Sequence, residues 1–141
     1  GLSDIFRPIT KPDRAEILSR LQLTRFLKGS VIVREGEKGD IMYLIKTGAV
    51  SVWTTDKGGK AHNLTELREG DFFGEIALAT SRPRVASITA IENTELVAFS
   101  RPLIKDILLK YPAVKEVLER VIKERVTESA KAKERLAAAL V

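Results

Sequence analysis

Phe72-Phe73-Gly74-Glu75-Ile76-Ala77-Leu78-Ala79-Thr80-Ser81-Arg82-Pro83-Arg84-Val85-Ala86-Ser87 is the stretch on which the reading of this chain turns. Gly74 can adopt a left-handed turn, or let another group come close, where a Cβ would obstruct. Glu75 to Leu78 reads as one helical turn, whose first amides point outward without partners and attract anions. Pro83 fixes its own φ and pushes Arg82 to extended geometry, so a strand is expected to begin at about Arg84. Period two then sets Arg84 on one face with Ala86, Ile88 and Ala90, and a guanidinium on an apolar face needs an anionic partner. Two readings of Arg84 stay open on these grounds. It pairs with Glu75 or another carboxylate as a structural ion pair, or it converges with the turn amides on a phosphate while Glu75 accepts from hydroxyls.

Phe-Gly-Glu-Ile-Ala-Leu, a short loop and Pro-Arg-Val-Ala-Ser together resemble the phosphate-binding cassette of the cyclic nucleotide-binding domain family. Protein kinase A regulatory subunits, catabolite-activator-type transcription factors and cyclic nucleotide-gated channels carry such domains. The stretch from Val31-Ile32-Val33-Arg34-Glu35-Gly36 through Gly39-Asp40-Ile41-Met42-Tyr43 to Val52 is similar to the family's first strands. The likeness covers about residues 5 to 126, and the whole is nearest in character to bacterial channel-type regulatory domains.

Composition excludes several other classes. The 141 residues suit one domain with one core. There is no cysteine, which removes disulfides and thiolate metal sites, and His62 is the only histidine, which leaves little for a metal centre or a His-dependent triad. His62 lies beside a hairpin signal and is read as a strand side chain, not a base. No apolar run approaches membrane-spanning length and no signal-peptide pattern opens the chain, so a cytoplasmic setting is the default expectation. The net charge of +5 is spread through mixed runs such as Lys133-Glu134-Arg135, the pattern of a solvated helix face rather than of a nucleic-acid patch.

Taken in order, residues 2–30 read as a helical lead-in. Thr10 and Asp13 form a capping-box-like pair, Pro12 suits a first turn, and Ile17, Leu18, Leu21 and Leu23 give an apolar face. Ile5-Phe6 ahead of it looks like the family's apolar anchor. From Val31 the signals are short strands: 31–34, 41–46, 49–55, 61–68, 84–91 and 94–99. Glycine-punctuated turns separate them, Asp56-Lys57-Gly58-Gly59-Lys60 being a hairpin signal. Tyr43 and Trp53 lie in strands, where aromatics normally pack; that either borders the ligand stays open on the sequence. This spacing predicts an α+β fold built on an antiparallel, jelly-roll-like β-roll. From Arg101 the period becomes helical. Leu103, Ile104, Ile107 and Leu108 are apolar, Tyr111-Pro112 breaks the run, and a second helix carries Val114, Val117, Leu118, Val121 and Ile122. The expected organisation is one domain over 1–141: lead-in 2–30, roll with cassette 31–100, and hinge and lid helices 101–141. The Gly1 start and the Ala-Ala-Ala-Leu-Val end suggest a piece of a longer protein.

The resemblance implies a ligand, cyclic AMP or cyclic GMP, with no other cofactor, no metal and no catalytic residue. Its implied ligand-binding residues are Gly74, Glu75, Ile76, Ala77, Arg84, Val85, Ala86 and Arg125. Arg84 grips the phosphate, the amides near Ile76, Ala77 and Val85 assist, and Glu75 takes the ribose 2′-hydroxyl. Leu78 relays cassette movement to the hinge helix. Ser87 is read as structural. Arg125 sits where bacterial channel relatives present a lid arginine to the base; a solvated arginine paired with Glu124 or Glu128 is the competing reading, with Arg120 and Lys123 as fallback lid residues. The expected output is movement of the C-terminal helices in a larger effector such as a cyclic nucleotide-regulated channel. The alternatives are a catabolite-activator-type sensor without its DNA-binding part, and a regulatory domain of a kinase or other enzyme. No nucleic-acid partner and no direct membrane insertion are expected. The full-length protein can still be a membrane channel and a homo-oligomer.

Overall fold

The computed structural model describes residues 7–74, 83–120, 123, 124 and 127. Helix α1 (Lys11–Arg20) leads into strands β1 (Gln22–Phe26), β2 (Val31–Val33), β3 (Ile41–Thr47), β4 (Ala49–Thr55), β5 (Ala61–Arg68), β6 (Phe72–Phe73), β7 (Ser87–Ala90) and β8 (Thr94–Ser100). Helix α2 (Arg101–Lys110) follows, and after Tyr111 the chain is helical again over 112–120 (α3). The strands form two antiparallel sheets of four, ordered β1-β8-β3-β6 and β2-β7-β4-β5. This is the expected β-roll with helices at one side.

Period two divides the apolar residues of the first sheet between two cores. Tyr43 and Ile45 of β3 and Leu96 of β8 turn into the roll, where they pack with Val50, Phe73 and Ile88. Met42 and Leu44 of β3 and Phe99 of β8 turn the other way, onto Phe72, Leu103, Ile104 and Ile107 and onto Val114 and Leu118 of α3. The roll interior is thus strand against strand, and the outer core is strand against helix. Ser100 caps α2 by accepting from the Leu103 amide at 3.4 Å, with Pro102 in the first turn, where its missing N–H is harmless. The Asp56–Lys60 hairpin also forms. Asp56 Oδ1 accepts from the Gly58 and Lys60 amides at 2.9 and 3.0 Å, and Asp56 Oδ2 lies 2.8 Å from His62 Nε2. The His62 bond is the main reason that Asp56 sits below the usual carboxylate range. His62 is a hairpin fastener.

Three sequence expectations are corrected. The lead-in is not helical throughout, because Gln22–Phe26 is a strand paired along its length with β8, from Gln22 opposite Ala98 to Phe26 opposite Thr94. Its alternation sends Phe26 inward and leaves Leu23 half exposed, so Leu23 is no part of a helical face. Leu18 is likewise exposed; Ile17 and Leu21 alone of that group reach the outer core, beside the buried Ile9. The Thr10 capping box does not form: Thr10 makes no side-chain cap bond, and its hydroxyl donates to Asp13 at 3.1 Å. Finally, the strand expected from Arg84 begins at Ser87. Arg84 is held instead by the loop between β2 and β3.

Candidate functional site

Arg84 is bracketed at its backbone. Its amide donates to Glu37 O at 2.7 Å and its carbonyl accepts from the Gly36 amide at 2.9 Å. That exchange with the β2–β3 loop takes the place of strand pairing and keeps Arg84 out of β7. The half-buried guanidinium turns back over the same loop. Nη1 donates to Gly74 O at 3.3 Å and Nη2 to Ile41 O at 3.1 Å. A guanidinium has a planar fork of five donors, so two bonds to fixed carbonyls orient the whole fork.

Two glycines make room for it. Gly74 has φ +91°, and a Cβ there would come within 2.6 Å of both Arg84 Nη1 and Ile41 O. At Gly39 a Cβ would lie 2.2 Å from Nη2 and 2.3 Å from Cζ. The guanidinium therefore occupies the space that side chains at positions 39 and 74 would fill. Val85, the next residue, is partly buried against the outer core, and Ala86 is buried. One end of this segment thus holds the arginine and the other touches the core that carries the helices.

Of the residues expected at the site, Gly74 and Arg84 are brought into contact, with Val85 and Ala86 continuing from Arg84. Glu75, Ile76, Ala77 and Arg125 lie outside the described residues, as do Leu78 and the Ile5-Phe6 anchor. Gly39, Ile41 and Glu37 were not expected there. Gly39 reads in sequence as one more turn glycine, and the two carbonyl contacts leave no trace in side-chain chemistry. Ser87 is structural, as expected: its hydroxyl accepts from the Glu35 amide at 2.8 Å. Trp53 packs as a strand aromatic, its Nε1 donating to Thr89 Oγ1 at 2.8 Å, and Tyr43 lies against Phe73 with ring centroids 5.2 Å apart.

Away from the arginine, polar side chains tie α1 to α2. Asp13 accepts from Lys110 Nζ at 3.0 Å and from the Tyr111 hydroxyl, and Arg20 Nη1 meets Asp106 Oδ2 at 2.8 Å. The Lys110 hydrogen bond is the leading cause that lowers the Asp13 pKa. Among the described residues no helix is long and apolar enough to cross a membrane, and no cluster of potential metal ligands occurs.

A model of the cyclic nucleotide-binding domain family matches residues 23–111. The chain is 41% identical over 100 residues to a cAMP-dependent protein kinase regulatory subunit of Dictyostelium discoideum, in a match covering 69% of this chain and 31% of that protein. It is 37% identical over 110 residues to the potassium/sodium hyperpolarization-activated cyclic nucleotide-gated channel 4 of Rattus norvegicus, covering 78% of this chain and 9% of the channel. The catabolite activator protein of Thermus thermophilus superposes with a TM-score of 0.81 at 29% identity, over 96% of this chain and 63% of that one. The matches thus take in well under two thirds of these two sequence relatives.

Proposed function

The chain belongs to the cyclic nucleotide-binding domain family, and from that premise we propose that Arg84 is the residue that grips the ligand's cyclic phosphate. The observation that carries this reading is the guanidinium fixed by Gly74 O and Ile41 O in a space cleared by two glycines. A fork oriented in advance suits bidentate, charge-assisted bonding to phosphate oxygens and loses less freedom on binding. Gly74, Val85 and Ala86 line the same segment. Glu75 for the 2′-hydroxyl, the Ile76 and Ala77 amides for the phosphate and Arg125 for the base complete the assignment on the family motif. Arg84→Ala should cost about 2–5 kcal/mol of cyclic AMP affinity, the range for truncating one partner of a buried charge pair. Titration calorimetry on the purified chain checks this, and undiminished affinity would remove Arg84 from the site.

Domains of this family regulate; they do not catalyse. For this chain we take the output to be a conformational equilibrium between helix positions, which ligand shifts by its differential affinity. Val85 offers the route, since it follows Arg84 directly and touches the core under α2 and α3. Hydrogen exchange over residues 112–130, with and without cyclic AMP, tests closure of the lid helix; identical exchange in both states would sink it. The effector is proposed to be a cyclic nucleotide-regulated channel, with a kinase-type or transcription-factor effector as the second reading, since relatives of each kind align. A cytoplasmic setting, assembly as a homo-oligomer and the absence of nucleic-acid contacts belong to the same proposal.

Ligand choice is assigned to position 85. The family resemblance implies threonine there in many cyclic GMP-preferring members, its hydroxyl meeting the guanine amine; Val85 has that shape without the hydroxyl. Cyclic AMP is therefore expected to bind at least as well as cyclic GMP, and Val85→Thr to improve cyclic GMP alone. A tenfold wild-type preference for cyclic GMP, about 1.4 kcal/mol, would overturn the assignment.

A further inference from the structure

Glu35 stands in the β2–β3 loop, two residues past the end of β2 and immediately before the Gly36 and Glu37 that bracket Arg84. Its carboxylate Oε1 accepts from the Thr54 hydroxyl and, at 3.4 Å, from the Thr55 amide, both in β4. Its own amide donates to Ser87 Oγ at 2.8 Å, at the start of β7. Thr54 and Ser87 are buried, 1% and 4% exposed, so these partners are set firmly in the roll. The next two residues, Gly36 and Glu37, form the backbone exchange with Arg84, and Gly39 underlies its guanidinium. A carboxylate bound to fixed donors is worth more than a neutral contact, and its loss leaves a buried hydroxyl without its acceptor.

We infer that Glu35 is a positioning residue for Arg84: it fastens the β2–β3 loop to β4 and β7, and so sets where the guanidinium meets the phosphate. The inference rests on the cyclic nucleotide reading of Arg84. Glu35 makes no contact with ligand in this scheme and acts only through the loop. Removing its acceptor unfastens the loop from β4, while the backbone bonds to Ser87 Oγ and Arg84 and the pairing of both sheets remain. The Thr54 hydroxyl is the reciprocal element, and its removal should act in the same direction.

The test uses the whole chain in four forms: wild type, Glu35→Ala, Glu35→Gln and Thr54→Val. Each is titrated with cyclic AMP, and the Arg84 Nε–H resonance is recorded without ligand. Glu35→Ala is expected to weaken cyclic AMP roughly tenfold, within the worth of a hydrogen bond to a charged group. It should also shift or broaden the Arg84 resonance. Thr54→Val should do the same more weakly. Glu35→Gln, which keeps an Oε1 acceptor, should restore both readouts. The Glu35→Ala effect should also shrink in an Arg84→Lys background, because a positioning residue has less to position there. An unmoved Arg84 resonance with unchanged affinity in Glu35→Ala and Thr54→Val would overturn the inference. So would an affinity loss that persists in full beside Arg84→Lys, since Glu35 would then act elsewhere. Failure of the wild type to bind either cyclic nucleotide would instead fell the ligand reading, and the Arg84 resonance would still report whether Glu35 positions it.

Discussion

Phe72 and Phe73 are neighbours in sequence and belong to different cores. Phe73 joins Ile45, Val50, Ile88 and Leu96 inside the roll, and Phe72 joins Met42, Leu44, Phe99 and the helix residues outside it. The first group is drawn from strands whose ladders fix every neighbour. The second is closed by α2 and α3, and α1 is tied to α2 by exposed side-chain pairs such as Arg20–Asp106. Exposed pairs contribute little, about 0–1 kcal/mol each. The roll core is therefore a frame, and we propose that the outer core is where helices are re-seated, which requires shifting the buried Leu103, Ile104, Ile107, Val114 and Leu118. That division suits a regulatory domain: on the proposed ligand reading, binding at Arg84 need not disturb the roll to move the helices.

The largest expected effect breaks this comparison or upholds it directly. Phe73→Ala should cost about 3–5 kcal/mol of unfolding free energy, since ladder-bound strands cannot collapse on the cavity. Ile104→Ala, equally a buried truncation but on α2, should cost nearer 2 kcal/mol, because the helix can settle toward the gap. Denaturant unfolding of both variants measures the difference. Equal losses would mean that the helices are held as firmly as the strands, and the re-seating argument would go.

The sequence shows the frame better than it shows the site. β4, β5 and the Asp56 hairpin are legible because alternation and turn chemistry are local and agree. Gly74 is legible too, as its φ of +91° is what glycine permits. β1 is hidden because Gln22-Leu23-Thr24-Arg25-Phe26 follows a helical pattern without a turn residue, and only pairing with β8, some seventy residues on, makes it a strand. The position of Arg84 is hidden for a related reason. Pro83 and the alternation after it argue for a strand, and bonds to Gly36 and Glu37 override both. Backbone carbonyls at Ile41 and Gly74 orient the guanidinium, and every residue type carries a carbonyl, so composition cannot reveal them.

Gly39 sharpens the comparison, since it contacts the arginine and belongs to neither core. Its φ lies outside the left-handed region, so alanine meets no backbone strain there. The added Cβ would meet the end of the Arg84 side chain, which can swing away. Gly39→Ala should therefore leave the denaturation midpoint close to wild type while cyclic AMP affinity falls by about 1.5 kcal/mol, the worth of one hydrogen bond to a charged group. Calorimetry and denaturant unfolding on the same sample separate the two. A stability loss matching the affinity loss would place Gly39 in the frame after all.

The smallest effect concerns Asp13, where the helical side depends on a charge. Its pKa is lowered from 3.8, chiefly by the Lys110 hydrogen bond, against an opposing push from burial and with further help from Thr10 and the Lys110 charge. A carboxylate with a depressed native pKa binds its proton more readily when unfolded. Its contribution is therefore present above the unfolded value and is lost as pH falls through the lower native one. Asp56 and Glu95 are lowered as well, by His62 and Arg25, but they fasten the roll, so the acid response of the whole domain mixes both sides. Asp13→Asn separates them: it keeps one acceptor oxygen for the Tyr111 hydroxyl and removes the charge together with the oxygen that accepts from Lys110 Nζ. The wild type should be more stable than Asp13→Asn at about pH 6, with the gap closing below about pH 4 while both proteins lose the roll terms together. Denaturant unfolding across that range, with the Asp13 carboxyl carbon followed by NMR, reads both quantities. A gap independent of pH, or an Asp13 that titrates at or above 3.8, would show that the α1–α2 tie owes nothing to the carboxylate charge.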